Sequence, residues 1–198
     1  MIVFFVPIAD LGLLKVTVAP GMRIVKAEIV TDTTRVLSEH KSGAQRELEY
    51  LVDLVLRYLR GEASPRDILP HLSLPRGAQS LILLATLAIP RGRVASYSQI
   101  AELVRVHPRV VGRVLSRNRI LVLIPCHRVV KSGCELGGYT CGVEVKRRLL
   151  ESESIVIREG NRVDRRFLVD MHELRESFMR LLESARTLQL PEGSSAES

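Results

Sequence analysis

Cys126 is followed directly by His127, after an apolar run from Ile120 to Ile124 and Pro125. A cysteine is a strong nucleophile only as the thiolate; its free pKa is about 8.5, and apolar surroundings raise it. A thiol at the end of a hydrophobic run therefore needs a base, and His127 is a candidate. In extended chain, neighbouring side chains point to opposite faces. A direct Cys126–His127 bond would need a turn, and otherwise a water must join them. By spacing alone the dipeptide is weak support for catalysis. The other two cysteines, Cys134 and Cys141, make an odd total of three with no CxxC pair. That argues against a secreted disulfide framework and against a structural zinc site. Cys134 and Cys141 could still pair with each other, as in some hyperthermophile proteins.

The charge around this thiol is lopsided. The chain carries a formal charge of +7, and from Leu103 to Cys134 it has no Asp or Glu. The same stretch holds Arg105, Arg109, Arg113, Arg117, Arg119, Arg128 and Lys131. A local basic patch of this kind favours a polyanionic partner. With 198 residues, 46% hydrophobic and 26% charged, the composition is that of a globular protein of one large or two small domains. No membrane contact is expected: the run Leu81–Ile89 is far short of the ~20 residues a span needs. Met1–Ile8 is apolar but lacks a basic flank and a small-residue cleavage site, so it reads as a strand. A cytoplasmic, nucleoid-associated protein is expected.

The elements that must position these residues follow from patterning. Val3–Pro7, Leu13–Val18 and Ile24–Val30 read as strands, separated by turn signals at Asp10-Leu11-Gly12 and Pro20-Gly21. Ala44–Arg60 reads as a helix, with Leu48, Leu51, Val52, Val55, Leu56 and Leu59 at helical spacing and Gly61 as its stop. Ala63–Gly77, with Pro65, Pro70 and Pro75, reads as a connector, and Gln79–Ala88 as an apolar helix. Ser96 with Gln99 is a capping-box signature opening a helix to about Val104. Pro108 fits the first position of a second helix reaching about Arg117. Together these suggest a helix-turn-helix. In the second helix Val110, Val111, Val114 and Leu115 form an apolar face, while Arg109, Arg113 and Arg117 recur every four residues opposite it. Ile120–Ile124 reads as a buried strand, Gly137–Gly142 as a glycine-rich loop, Val143–Leu150 as a helix and Phe167–Leu188 as a long amphipathic helix. The fold class expected is α+β, a small N-terminal α/β domain (1–74) followed by a mostly helical, winged-helix-like DNA-binding and active-site domain (75–160). A helical extension (161–190) and a disordered tail (191–198) complete the expected organisation.

Pro125-Cys126-His127-Arg128-Val129-Val130, with Gly137-Gly138-Tyr139-Thr140 downstream and Ser96-Tyr97 in a helix-turn-helix upstream, resembles the O6-alkylguanine-DNA alkyltransferase family. The resemblance extends over about Leu74–Val156. Before that it is one of general layout, including the helix end Tyr58-Leu59-Arg60-Gly61. It implies direct reversal of DNA damage. Such a protein binds duplex DNA containing O6-alkylguanine, flips the base, and moves the alkyl group once and irreversibly to a cysteine, without metal or cofactor.

The resemblance also implies roles. Cys126 would accept the alkyl group, and His127 would deprotonate it through a water. Glu153 would hold His127, although the neighbouring Glu151 could be confused with it. Asn118 would be the hinge between recognition helix and active-site strand; its plainer role is a helix C-cap. Leu115, Val129, Tyr139 and Thr140 would form the base pocket, with Val129 and the Cys126 backbone reading the guanine amino group. Arg109 would take the place of the flipped base, Tyr97 would turn the adjacent phosphate, and Gly112 would allow close approach to the minor groove. Arg113, Arg117 and Arg128 would add DNA contacts. A monomer is expected. The chain departs from the family pattern in a shorter spacing between Tyr97 and Arg109, in Ala78, Leu81 and Leu84 where aromatics are usual, in having no Trp, and in the Phe167–Leu188 helix. The competing readings are a non-catalytic lesion binder, a winged-helix regulator with an incidental buried cysteine, and a cysteine hydrolase.

Overall fold

The computed structural model describes residues 1–31 and 45–189. The expected tail from residue 191 and the first expected residue of the long N-terminal helix, Ala44, lie outside them. Three antiparallel strands, β1 (Ile2–Pro7), β2 (Leu13–Ala19) and β3 (Arg23–Val30), form a meander in the order β1-β2-β3. Val18 pairs with Ile24 across β2 and β3, where the register shifts by one residue. Helix α1 (Gln45–Arg60) turns Leu51, Leu54, Val55 and Tyr58 inward. The expected connector is itself ordered, with a short helix α2 (Pro65–Ile68) and a 3-10 turn (Leu69–His71).

Next come α3 (Ala78–Leu87), the short strand β4 (Ala95–Ser96), α4 (Tyr97–Val104) and α5 (Pro108–Leu115). The capping box forms as expected, Ser96 Oγ accepting from Gln99 N–H (3.1 Å) and Gln99 Oε1 from Ser96 N–H (2.8 Å). Arg105 closes α4 in the left-handed conformation (φ 56°), and the His107 ring caps α5 by accepting from Arg109 N–H (3.2 Å). This tight turn accommodates the short spacing between Tyr97 and Arg109. One hydrophobic cluster runs from Phe4 in β1 through α1, α3 and α5 to Leu181. It crosses residue 74 without interruption.

Two elements differ from expectation. Ile120–Ile124 is not a strand but a buried turn, in which Ile124 N–H donates to Ile120 O (3.0 Å) and Val122 takes a positive φ of 68°. An apolar run this short has no periodicity that separates a strand from a buried turn. Its flank is tied to the N-terminal sheet, since Ala27 N–H donates to Arg119 O (2.9 Å) and Leu121 N–H to Ala27 O (3.0 Å). The last helix, α7 (Met171–Gln189), starts later than Phe167. Phe167 ends a 3-10 turn (Arg165–Phe167), and the chain from there to Val169 is held against Val94, Val94 N–H donating to Phe167 O and Val169 N–H to Val94 O (both 2.8 Å). Asp170 then caps α7 by accepting from His172 N–H (2.7 Å).

After a 3-10 turn (Cys126–Arg128), β5 (Val129–Val130) pairs in parallel with β4. Helix α6 (Val143–Ser152) follows the glycine-rich loop, and a small hairpin, β6 (Ile157–Arg158) with β7 (Arg162–Val163), precedes α7. A second, smaller cluster of Val94, Val130, Cys134, Leu136, Leu150, Ile155 and Val163 lies beneath that hairpin.

Candidate active site and nucleic-acid interface

Asn118 organises the nucleophile. It is 8% exposed and sits beyond the end of α5, whose C-cap is Ser116, so the C-cap role is not its own. Its Oδ1 accepts from Ile120 N–H (3.0 Å), while Nδ2 faces Ile124 O and Cys126 Sγ (both 3.3 Å). One amide therefore shapes the buried turn and touches the sulfur. Burial pushes the Cys126 thiol up from its ordinary value, while the Asn118 amide and the Lys146 ammonium pull it back.

The 3-10 turn settles where His127 points. Its ring is fully buried, with Nε2 2.8 Å from Glu153 Oε1, and Nδ1 buried without a partner among the described residues. Burial lowers the His127 pKa, against the pull of Glu153. Burial also acts to raise the Glu153 carboxyl, but His127 and Arg128 override it and hold the group well below the usual carboxylate range. The pair therefore rests as a neutral imidazole on an ionised carboxylate. Nε2–H donates to Glu153, and Nδ1 carries the free lone pair. Of the two glutamates in question, Glu151 is exposed and faces Arg147 (3.5 Å), whereas Glu153 is buried.

Arg128 is corrected by the structure. It does not face a DNA phosphate: it is 6% exposed, Nε donates to Glu153 Oε2 (2.8 Å), Nη2 to Glu153 Oε1 (2.9 Å) and Nη1 to Ile89 O (2.8 Å). Every nitrogen of the guanidinium is used inside the protein. Gly92 N–H adds a bond to Glu153 Oε2 (3.2 Å), and Arg91 lies 3.9 Å from Oε1.

Lys146 was not singled out by sequence. It is fully buried, and Nζ donates to the carbonyls of Val129 (2.5 Å) and Leu136. Burial lowers its pKa to about 8, against the pull of Cys126. The available signal was its place three and four residues before the buried Leu149 and Leu150, on the inner face of α6. Val129 is fully buried and its side chain is not part of the lining of the cavity over Cys126, while its carbonyl accepts from Lys146 and keeps one lone pair.

A cavity of about 370 Å³ opens over Cys126, lined by Tyr97, Gly112, Leu115, Ser116, Gly138, Tyr139 and Thr140. Five expected pocket and DNA residues (Leu115, Gly112, Tyr97, Tyr139 and Thr140) thus meet the thiol at one opening. Tyr139 stands edge-on to His127, with ring centroids 6.5 Å apart, and its hydroxyl is buried without a partner among the described residues. Burial drives its pKa strongly upward, so it stays a neutral hydrogen-bond donor. The Tyr97 ring is bracketed by backbone: a Cβ at Gly112 would lie 3.9 Å from it, and one at Gly137 3.8 Å from it. Arg109 and Arg113 are exposed on α5. Arg117 is exposed too, but α5 ends at Leu115, so the expected row of three guanidiniums loses its third member to the following turn.

All three cysteines are free, including Cys134 and Cys141. Among the described residues no group of three His, Cys, Asp or Glu side chains could hold a metal ion, and no helix is long and apolar enough to cross a membrane.

Residues 78–155 match the family described as 6-O-methylguanine DNA methyltransferase, DNA binding domain. A methylated-DNA–protein-cysteine methyltransferase of Pyrobaculum aerophilum is 55% identical over 71 residues, which is 36% of this chain and 48% of the relative. The chain thus spans about half the length of that curated relative. The fold is similar to that of a solved O6-methylguanine methyltransferase of Mycobacterium tuberculosis, an R37L variant, at 30% identity and TM-score 0.56, over 76% of this chain and 90% of that one. It is also similar to Mycobacterium tuberculosis OGT in complex with DNA, at 26% identity and TM-score 0.60, over 78% of this chain and 93% of that one.

Proposed function

The chain belongs to the O6-methylguanine DNA methyltransferase family, and on that premise we propose that it reverses alkylation at O6 of guanine in duplex DNA by a single, irreversible transfer to Cys126. The observation that carries this reading is the position of the Cys126 thiol, at the floor of a base-sized cavity between α5 and the Tyr139 loop, with a buried Asn118 on its sulfur.

The chemistry follows from the groups present. His127 Nδ1 takes the Cys126 proton through one water, while the ionised Glu153 stabilises the imidazolium that forms. Arg128 fixes the carboxylate for that task. The thiolate attacks the alkyl carbon, a C–S bond forms and the C–O6 bond breaks. The electrons of that bond leave on guanine, where the Tyr139 hydroxyl donates a hydrogen bond to the developing oxyanion. The proton lost by sulfur is balanced by the one guanine regains. The product is a thioether, which has no easy route to hydrolysis, so each chain reacts once. No cofactor enters this scheme.

DNA reaches the site through α4 and α5. Arg109, at the start of α5, fills the gap left by the flipped base and offsets part of the few kcal/mol that flipping costs. Tyr97 turns the neighbouring phosphate. Gly112 lets the minor groove approach α5 closely, and Arg113 and Arg117 contact backbone. Binding is then salt-sensitive and weakly sequence-selective. The protein acts as a monomer in the compartment that holds the chromosome.

The test is intact-mass measurement after incubation with a duplex carrying O6-methylguanine. A gain of one methyl, lost in Cys126→Ala, supports the reading. Tight lesion binding without an adduct would mark a non-catalytic lesion binder instead.

A further inference from the structure

Lys131, inside the matched family region, and Arg162 and Arg165, beyond it, are all exposed. The loop that lines the cavity is the downstream end of a segment paired with the β6–β7 hairpin. Leu136 N–H donates to Asn161 O (2.9 Å), Val163 N–H to Cys134 O (2.8 Å), and Glu135 bridges Arg162 in antiparallel register. A Cβ at Gly137 would lie 3.5 Å from Lys131 Cγ and 3.8 Å from the Tyr97 ring. Lys131 therefore stands beside Tyr97 at the cavity mouth. From there charge runs outward: Lys131 Nζ meets Glu135 Oε2 (3.1 Å), and Arg162 Nη2 meets Glu135 Oε1 (3.2 Å). Side-chain exposures of 60% for Lys131 and 59% for Arg162 leave both cations open to solvent. Arg165, Arg162 and Arg158 then line a groove of about 480 Å³ against the Gly133–Cys134 turn. Arg158 is committed to Asp164 (Nη2–Oδ2 2.5 Å), but Arg165 is exposed and makes no ion pair among the described residues.

We propose that Lys131, Arg162 and Arg165 form a second nucleic-acid contact, a basic arm that takes the duplex phosphate backbone where it runs past Tyr97 and away from α5. This rests on the DNA-repair reading for its partner. Three features fit a phosphate backbone. Lys131 and Arg162 flank Glu135, Arg162 and Arg165 border a groove, and none of the three lines the cavity over Cys126. Glu135 faces two of them and so acts against the contact. The arm would extend the footprint of a short α5, whose third arginine has left the helix.

Affinity for undamaged duplex DNA is read as a function of salt for the full chain. Neutralising a phosphate-contacting cation lowers the slope of log K against log salt by about 0.9 on B-form DNA. The variant Arg162→Gln/Arg165→Gln is expected to lose about 2 units of slope and to bind roughly tenfold more weakly at low salt. Glu135→Gln is expected to bind more tightly than the parent, an effect that misfolding does not produce. Arg57→Gln on α1, paired with Asp53, shows what removing one positive charge elsewhere on the chain does, against the two removed in the double variant. Slopes and affinities indistinguishable from those of Arg57→Gln, or weaker binding by Glu135→Gln, would overturn the arm. Methyl transfer by the parent chain is scored separately: its absence defeats the repair reading, while unchanged slopes with transfer intact defeat only the arm.

Discussion

Arg128 and Glu153 meet in a two-pronged pair, Nε to Oε2 at 2.8 Å and Nη2 to Oε1 at 2.9 Å, with neither side chain open to solvent. A buried pair is costly to break because the surviving charge is left without a partner. Arg128→Ala is therefore expected to lower unfolding free energy by about 3–5 kcal/mol in chemical denaturation. The salt slope of DNA binding should not move. A slope lowered by about one, with stability retained, would instead mark Arg128 as a phosphate contact.

Glu153→Gln keeps a hydrogen-bond acceptor on His127 but removes the charge that stabilises an imidazolium. The methyl-transfer rate should fall on the order of 10²-fold, equally on duplex and free-base substrates. The pH profile checks the same group from the other side. The His127 pKa is lowered from 6.5, so the base stays unprotonated down to and below that pH. The rate should hold level as pH falls to 6.5 and decline only in more acid solution. The stability contributed by the neutral buried ring follows the same sign, complete above 6.5 and lost as pH drops below it. A rate already halved at pH 6.5 would contradict the assignment.

Lys146 offers two bonds to two buried carbonyls, which a neutral amine can satisfy as well as an ammonium. Its pKa falls from 10.5 to about 8, so between those values the unfolded chain holds a proton that the folded chain has shed. In that window this residue makes stability rise with pH. The stability advantage of the parent over Lys146→Met should therefore widen from pH 8 to 10.5. At neutral pH the variant still loses about 1–3 kcal/mol for each carbonyl left unpaired. A difference that stays flat with pH would show that Lys146 is not a charge held in the interior.

Arg109→Ala should weaken repair of duplex DNA more than reaction with a free O6-alkylguanine base, since only the duplex presents a gap to fill. Kinetics on the two substrates side by side decide this. Equal losses on both would show that Arg109 acts on the pocket and not on the flipped state.

The local grammar of the chain was readable where one or two side chains determine the outcome. The Ser96–Gln99 capping box, Pro108 at the start of α5 and the three N-terminal strands all stand where patterning puts them. Residues whose role depends on what folds over them were less readable. Arg128 sits in an acid-free basic stretch and looks like part of it. Only the arrival of Glu153 and Ile89 O turns its guanidinium inward. Lys146 lies on the inner face of α6, where a charge is not expected until two carbonyls converge on it. Ile120–Ile124 carries no helical or strand period, and Asn118, seven residues before Pro125, bends it into a turn. The start of α7 was misplaced for a similar reason, since Phe167–Val169 is captured by Val94 from a distant element.

Stoichiometry against excess lesion tests the central claim most directly. The chain is mixed with several-fold more O6-methylguanine duplex, repaired lesions are counted over time, and the modified peptide is sequenced. The account predicts a plateau at one repaired lesion per chain, with the methyl group on Cys126. Repair that continues beyond one per chain, or a methyl group carried by Cys134 or Cys141, would contradict it.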